Sequence, residues 1–127
     1  MKYLLDTHVL LWFIFEPEKL HRRAAKVLKT FDESHCVSIA SLWEIAVKAQ
    51  LGKLNLSMPT RQFFKQYVVE PNITVLDISV DDLNAYALLP LHHRDPFDRL
   101  IISQAQVRGL QLVSADENFK HYDVEVL

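Results

Sequence analysis

The chain has 127 residues, half of them apolar, and 14 Lys and Arg against 16 Asp and Glu give a formal net charge of −2. That is the size of one domain, 1–127, with room for a full hydrophobic core. It lacks the basic excess of a simple nucleic-acid binder, so any hold on a polyanion has to come from local positive charge or from metal ions.

The opening MKYLLDTHVLLWFIF has an apolar stretch like a secretory leader, but Asp6 and His8 interrupt it and no small-residue cleavage site follows. No run approaches the length of a membrane span, and the single cysteine, Cys36, excludes an internal disulfide. Both features lead us to expect a cytoplasmic protein. Residues 2–5 read as a short buried strand that ends at Asp6, and residues 7–15 as a buried helix closed by Pro17. A second helix is expected over 18–31, with Leu20, Ala24, Val27, Leu28 and Phe31 inward, then a strand over 35–39 that buries the Cys36 thiol. Ser41 stands three residues before Glu44, the spacing of a capping box, and Gly52 suits the left-handed residue that ends the following helix. Glu44 can also pair with Lys48 one turn on, an interaction worth only ~0.2–0.5 kcal/mol.

The next helix is expected over 60–69, where Phe63, Phe64, Tyr67 and Val68 suit a core or dimer surface better than a base-stacking platform. Residues 73–78 are almost continuously apolar, as central parallel strands are. Ser79, with Asp82 three residues on, starts a helix that Pro90 stops. The segment HHRDPFDRLII follows. Asp95 before Pro96 reads as the N-cap of a helix to about 108, which puts Asp98 in its first turn on the row continued by Ile101, Ile102 and Ala105. His92 and His93 are adjacent, point apart and make a poor chelating pair; they read as loop residues, with RNA contact or proton shuttling as the other reading. After Gly109 come a strand over 110–113, Asp116, a short turn or helix over 118–122 and an edge strand over 124–127. Alternating strands and helices give an α/β class with a largely parallel sheet and helices on both faces.

Asp6, Glu44, Asp98 and Asp116 therefore each follow a strand or stand in the first turn of the next helix. In an open parallel sheet, ligands bind at the carboxyl ends of the strands. Four carboxylates gathered there repel one another unless protons or cations intervene. Hard oxygen ligands without Cys/His spacing suit Mg²⁺ or Mn²⁺ rather than zinc. Such a site can hydrolyse phosphodiesters. On this reading Asp6, Asp98 and Asp116 are the principal ligands, and Glu44 holds a metal or orients water. Thr7 and Ser114 brace the acids by hydrogen bonds, and Lys48, Arg94 and Arg99 meet phosphates.

Four segments carry a specific likeness: LLDTHVLLWF at 4–13, SIASLWEIAVKAQLGKL at 38–54, HRDPFDRLIISQA at 93–105 and LVSADENFKHYDVEVL at 112–127. With them the chain resembles the PIN-domain family, and within it the VapC-type toxins of bacterial type II toxin–antitoxin systems. The resemblance implies a PIN-like α/β/α sandwich with a central, largely parallel sheet of four to five strands. It implies a Mg²⁺- or Mn²⁺-dependent endoribonuclease that cuts tRNA or other structured RNA and forms a homodimer. A VapB-type antitoxin would inhibit it, and DNA would be met only through that antitoxin. The family's acidic set falls on Asp6, Glu44, Asp98 and Asp116, while Asp95 caps, assists or binds metal through water. Two other classes compete. One is a non-catalytic antitoxin-binding module acting in transcriptional autoregulation. The other is a small-molecule metal phosphatase. A haloacid-dehalogenase-like phosphatase would carry a second Asp where this chain has His8.

Overall fold

A computed structural model describes residues 2–29 and 35–127. Four short parallel strands form one sheet: β1 (Tyr3–Leu5), β2 (His35–Ser38), β3 (Thr74–Leu76) and β4 (Gln111–Val113), in the order β3-β2-β1-β4. Leu5 is level with Val37 on one side and Val113 on the other. Because successive strand residues point to opposite faces, each strand feeds two cores. Leu5, Val37 and Val113 pack with α1 (Thr7–Phe15), α2 (Arg22–Leu28), α3 (Ile39–Gln50) and α4 (Thr60–Phe64). Leu4, Cys36 and Leu112 pack on the other face with Ile101, Ile102 and Ala105 of a long C-terminal helix, and with Phe119 and Tyr122. This is the expected α/β/α sandwich.

Several elements depart from their sequence reading. The strand read as central, β3, is an edge: it pairs only with β2, and Thr74 is exposed. Its apolar residues serve both faces: Ile73 and Val75 pack on the side of α1–α4, and Leu76 packs on the other. The expected strand at 124–127 reduces to one parallel bridge, Leu112 to Val126. The expected helix 18–31 is split. A 3₁₀ turn at Pro17–Lys19 is followed by α2, whose N-cap His21 accepts a hydrogen bond from Ala24 N at 3.1 Å; the predicted inward Phe31 lies outside the described residues. The helix read over 60–69 changes to a π-helical turn at Lys65–Val69, with Phe63 buried between Phe15, Phe64 and Tyr67. The aromatic row is core. The Cys36 thiol is buried, donates to Tyr3 O at 3.2 Å, and is pushed up to about 11 by burial.

The S-x-x-E box is also corrected. Ser38, not Ser41, caps α3 by accepting from Ala40 N at 3.0 Å, so the helix starts at Ile39 and Ser41 is buried inside it. Gly52 ends α3 as expected: at φ +74° it lets Lys53 N reach back to Lys48 O at 2.9 Å. The other capping box is intact. Ser79 and Asp82 exchange hydrogen bonds at the start of α5 (Val80–Leu88), and Asp95 caps α6 (Pro96–Arg108). No helix among the described residues is long and apolar enough to cross a membrane.

Candidate active site

The site lies on the rim where β1, β2 and β4 end. Asp6 leaves β1 and caps α1, its Oδ1 accepting from Val9 N at 2.6 Å. Its other oxygen accepts from the Ser114 hydroxyl, and Ser114 Oγ in turn accepts from Asp116 N at 3.0 Å. One serine at the end of β4 thus ties together acids from opposite ends of the sequence. Asp116 Oδ1 also caps the 3₁₀ turn Glu117–His121, accepting from Asn118 N at 2.9 Å. Ser114 braces the acids as the sequence suggested. Thr7 does not: its Oγ1 is buried without a hydrogen-bond partner among the described residues.

Glu44, one turn into α3, is buried. One carboxylate oxygen pairs with Lys48 Nζ at 2.8 Å, and the other has no hydrogen-bond partner among the described residues. The earlier cap at Ser38 explains this freedom, since among the described residues no backbone N–H claims the Glu44 side chain. Asp95 is exposed and spends Oδ1 on Phe97 N at 2.9 Å and Asp98 N at 3.2 Å.

Asp98 is where these charges meet. Burial pushes its carboxyl up, and Asp95, Asp6, Glu44 and Asp116 push further, to about 8. The Asp6 carboxyl is also raised, mainly by burial, against the hydrogen bonds from Ser114 and Val9. The structure therefore brings Asp6, Glu44, Asp95 and Asp116 close enough for each to act on Asp98. Among the described residues, no three His, Cys, Asp or Glu side chains already stand as a cage for an ion. Even so, the donor set suits a hard divalent cation. It consists of carboxylate oxygens, one of them on Glu44 without a hydrogen-bond partner among the described residues, around a carboxyl that burial and its neighbours keep from ionising. Closing round an ion takes side-chain movement from this arrangement.

A groove adjoins the acids, lined by Glu44, Lys48, Leu51, Lys53, Arg94 and Phe97 among others. Lys48 and Arg94 were expected at a phosphate-binding edge; Lys53 was missed, although the turn at Gly52 folds it back beside Lys48. Trp43, 62% exposed, stands edge-on to Phe97 at 5.2 Å.

Arg99 does not lie on that edge. It is 4% exposed, donates to Pro90 O at 2.8 Å and to the Tyr122 hydroxyl at 3.3 Å, and lies over the Tyr86 ring. Its place is structural, because a buried guanidinium needs just such acceptors. His93 lies in a loop, as read, but it is not a plain loop residue. Its ring is mostly buried, with Nδ1 at 2.8 Å from Tyr122 Oη and Nε2 at 3.7 Å from Asp98 Oδ2. No local signal marks it, since Tyr122 is distant in sequence.

The PIN domain family profile matches residues 3–125. Ribonuclease VapC22 of Mycobacterium tuberculosis is 30% identical over 119 residues, 94% of this chain and 90% of that protein. Among solved structures, VapBC2 from Rickettsia felis bound to a promoter DNA fragment superposes with a TM-score of 0.76 at 17% identity, covering 100% of this chain and 98% of the other. FitAcB from Neisseria gonorrhoeae does so with a TM-score of 0.72 at 17% identity, covering 98% and 96%. With the family profile spanning nearly all of its length and a curated relative at that identity, the chain belongs to the PIN-domain family.

Proposed function

We propose that this protein is a metal-dependent endoribonuclease, the toxin of a VapBC-type pair, and that it hydrolyses RNA phosphodiester bonds. The observation that carries this reading is the convergence of acids from β1, α3, α6 and the end of β4 on one rim, around a carboxyl that burial and these acids keep from ionising. The VapC22 likeness supports ribonuclease chemistry, and the toxin–antitoxin neighbours support an antitoxin partner. When bound, Mg²⁺ or Mn²⁺ supplies charge to clamp the phosphodiester and lowers the pKa of coordinated water. Asp6, Asp98 and Asp116 would hold the ion. Glu44, with one oxygen uncommitted, would hold a metal or orient the attacking water. Ser114 keeps Asp6 and Asp116 in register, while Asp95 caps α6 and adds negative charge beside Asp98. Lys48, Lys53 and Arg94 would meet the phosphates that an acidic chain otherwise repels.

The apolar wall of that groove, with Trp43, Leu51 and Phe97, would receive an antitoxin segment. Exposed Val80, Leu83, Leu88 and Leu91 on and after α5 would form the homodimer face. The test is RNA cleavage profiling with purified protein. We expect cuts in Mg²⁺ or Mn²⁺, none in EDTA, and none from Asp6→Asn. Cleavage that survives EDTA would transfer the chemistry to histidines. A folded protein that binds an antitoxin but cuts no RNA would favour a regulatory module.

A further inference from the structure

Asp98 has a neighbour whose orientation is fixed from behind. The hydroxyl of Tyr122, a residue 5% exposed, is approached by three nitrogens: His93 N at 3.2 Å, Arg99 Nη1 at 3.3 Å and His93 Nδ1 at 2.8 Å. The backbone N–H and the guanidinium can only donate, and together they occupy both acceptor positions of a phenol oxygen. The one proton of Tyr122 must then go to His93 Nδ1, which is left as an acceptor. In a neutral imidazole the remaining proton sits on the other nitrogen. That nitrogen, Nε2, is buried, has no hydrogen-bond partner among the described residues, and lies 3.7 Å from Asp98 Oδ2. This is too long for a hydrogen bond as it stands. It is a donor held ready beside a carboxylate.

We propose that His93 is a positioning residue for Asp98, with Tyr122 and Arg99 holding its proton on Nε2 so that it steadies one carboxylate oxygen and leaves the other free for a divalent ion. The proposal rests on reading Asp98 as an ion ligand. Ligating carboxylates are themselves commonly hydrogen-bonded, and loss of such a partner weakens metal binding by about 10–100-fold. The clamp is rigid for reasons of packing: the His92 and His93 rings both meet Tyr122 edge-on, at 4.9 and 5.4 Å between centroids.

The first arm of the test needs no variant. Long-range ¹H–¹⁵N correlation spectra of the metal-free protein at about pH 8, where an ordinary imidazole is neutral, report the His93 tautomer directly. Nε2–H is expected, and a proton on Nδ1 overturns the proposal. Tyr122→Phe should lose the preference for Nε2–H; an unchanged tautomer would show that the phenol does not set it. The second arm is Mn²⁺ titration by calorimetry. We expect His93→Ala to bind about 10-fold more weakly. His93→Gln, whose amide can still donate near the same place, should bind within about 2-fold of the parent. An affinity unchanged in His93→Ala overturns the proposal. If the parent takes up no Mn²⁺, the ion reading of the rim falls. The tautomer then decides by itself whether His93 steadies Asp98.

Discussion

Two buried aspartates on neighbouring helices have opposite fates. Asp82, in the first turn of α5, is fully buried. Burial alone would raise its carboxyl, but hydrogen bonds from Arg108, Ser79 N and Gln104 outweigh it, and the net shift is downward. Asp98, in the first turn of α6, is less buried yet faces four other acids, and is pushed up to about 8. Position in the helix is similar and burial raises both carboxyls, so the partners decide whether that push is outweighed, as at Asp82, or reinforced, as at Asp98. A carboxylate with a guanidinium and two further donors is structural. One with like charges and a nearby imidazole has no such balance, and on the proposed reading a cation would supply it.

The contrast can be broken from either side. The largest effect is expected at Asp82. Asp82→Ala strands Arg108 and Gln104 and should cost about 3–5 kcal/mol of stability, read by urea unfolding, while activity per folded molecule stays near normal. A loss of less than about 1 kcal/mol would make the pair an ordinary surface bridge. Next comes Asp98→Asn, expected to lower RNA cleavage by more than about 100-fold with the fold intact; a variant that cuts normally would remove Asp98 from the ion.

The two carboxyls also give opposite pH slopes without metal. For Asp98 the folded value, about 8, exceeds the ordinary 3.8, so the native state holds the extra proton and stability falls as pH rises across that window. For Asp82 the folded value is lowered, so its contribution is present above the ordinary value and is lost as pH falls through the folded one. Asp98→Asn should therefore stabilise the EDTA-treated protein by about 2–3 kcal/mol at pH 8, allowing for solvent screening, and by much less near pH 4. Equal gains at both pH values would detach the effect from ionisation. The smallest change is expected from Asp95→Asn. Asparagine caps about as well as aspartate, so stability should move by less than about 0.5 kcal/mol and cleavage by only a few-fold. Complete inactivation would make Asp95 a ligand.

Much of the rim was legible because Asp6, Glu44 and Asp116 follow strands, and a parallel sheet sends its strand ends to one side, whereas Asp98 follows a helix, α5. The alternation Leu4/Leu5, Cys36/Val37 and Leu112/Val113 builds both cores, and the apolar runs already display it. What failed was local pattern matching with more than one solution. Ser41 and Glu44 fit a capping box, yet Ser38 reaches the helix start first and frees Glu44 for the rim. The apolar run at β3 suited a central strand equally well, and only the strand order reveals an edge. Arg99 and His93 depend on Tyr122, more than twenty residues downstream, and no spacing rule links them.

The serine that joins Asp6 to Asp116 sets an order of assembly. The sixth residue of the polymer stays without its hydroxyl partner until position 114 has been added and folded back against the first strand. A half-made chain on the ribosome consequently has no finished notch. In a protein read as a ribonuclease, the acid cluster can close only after that late residue is in place.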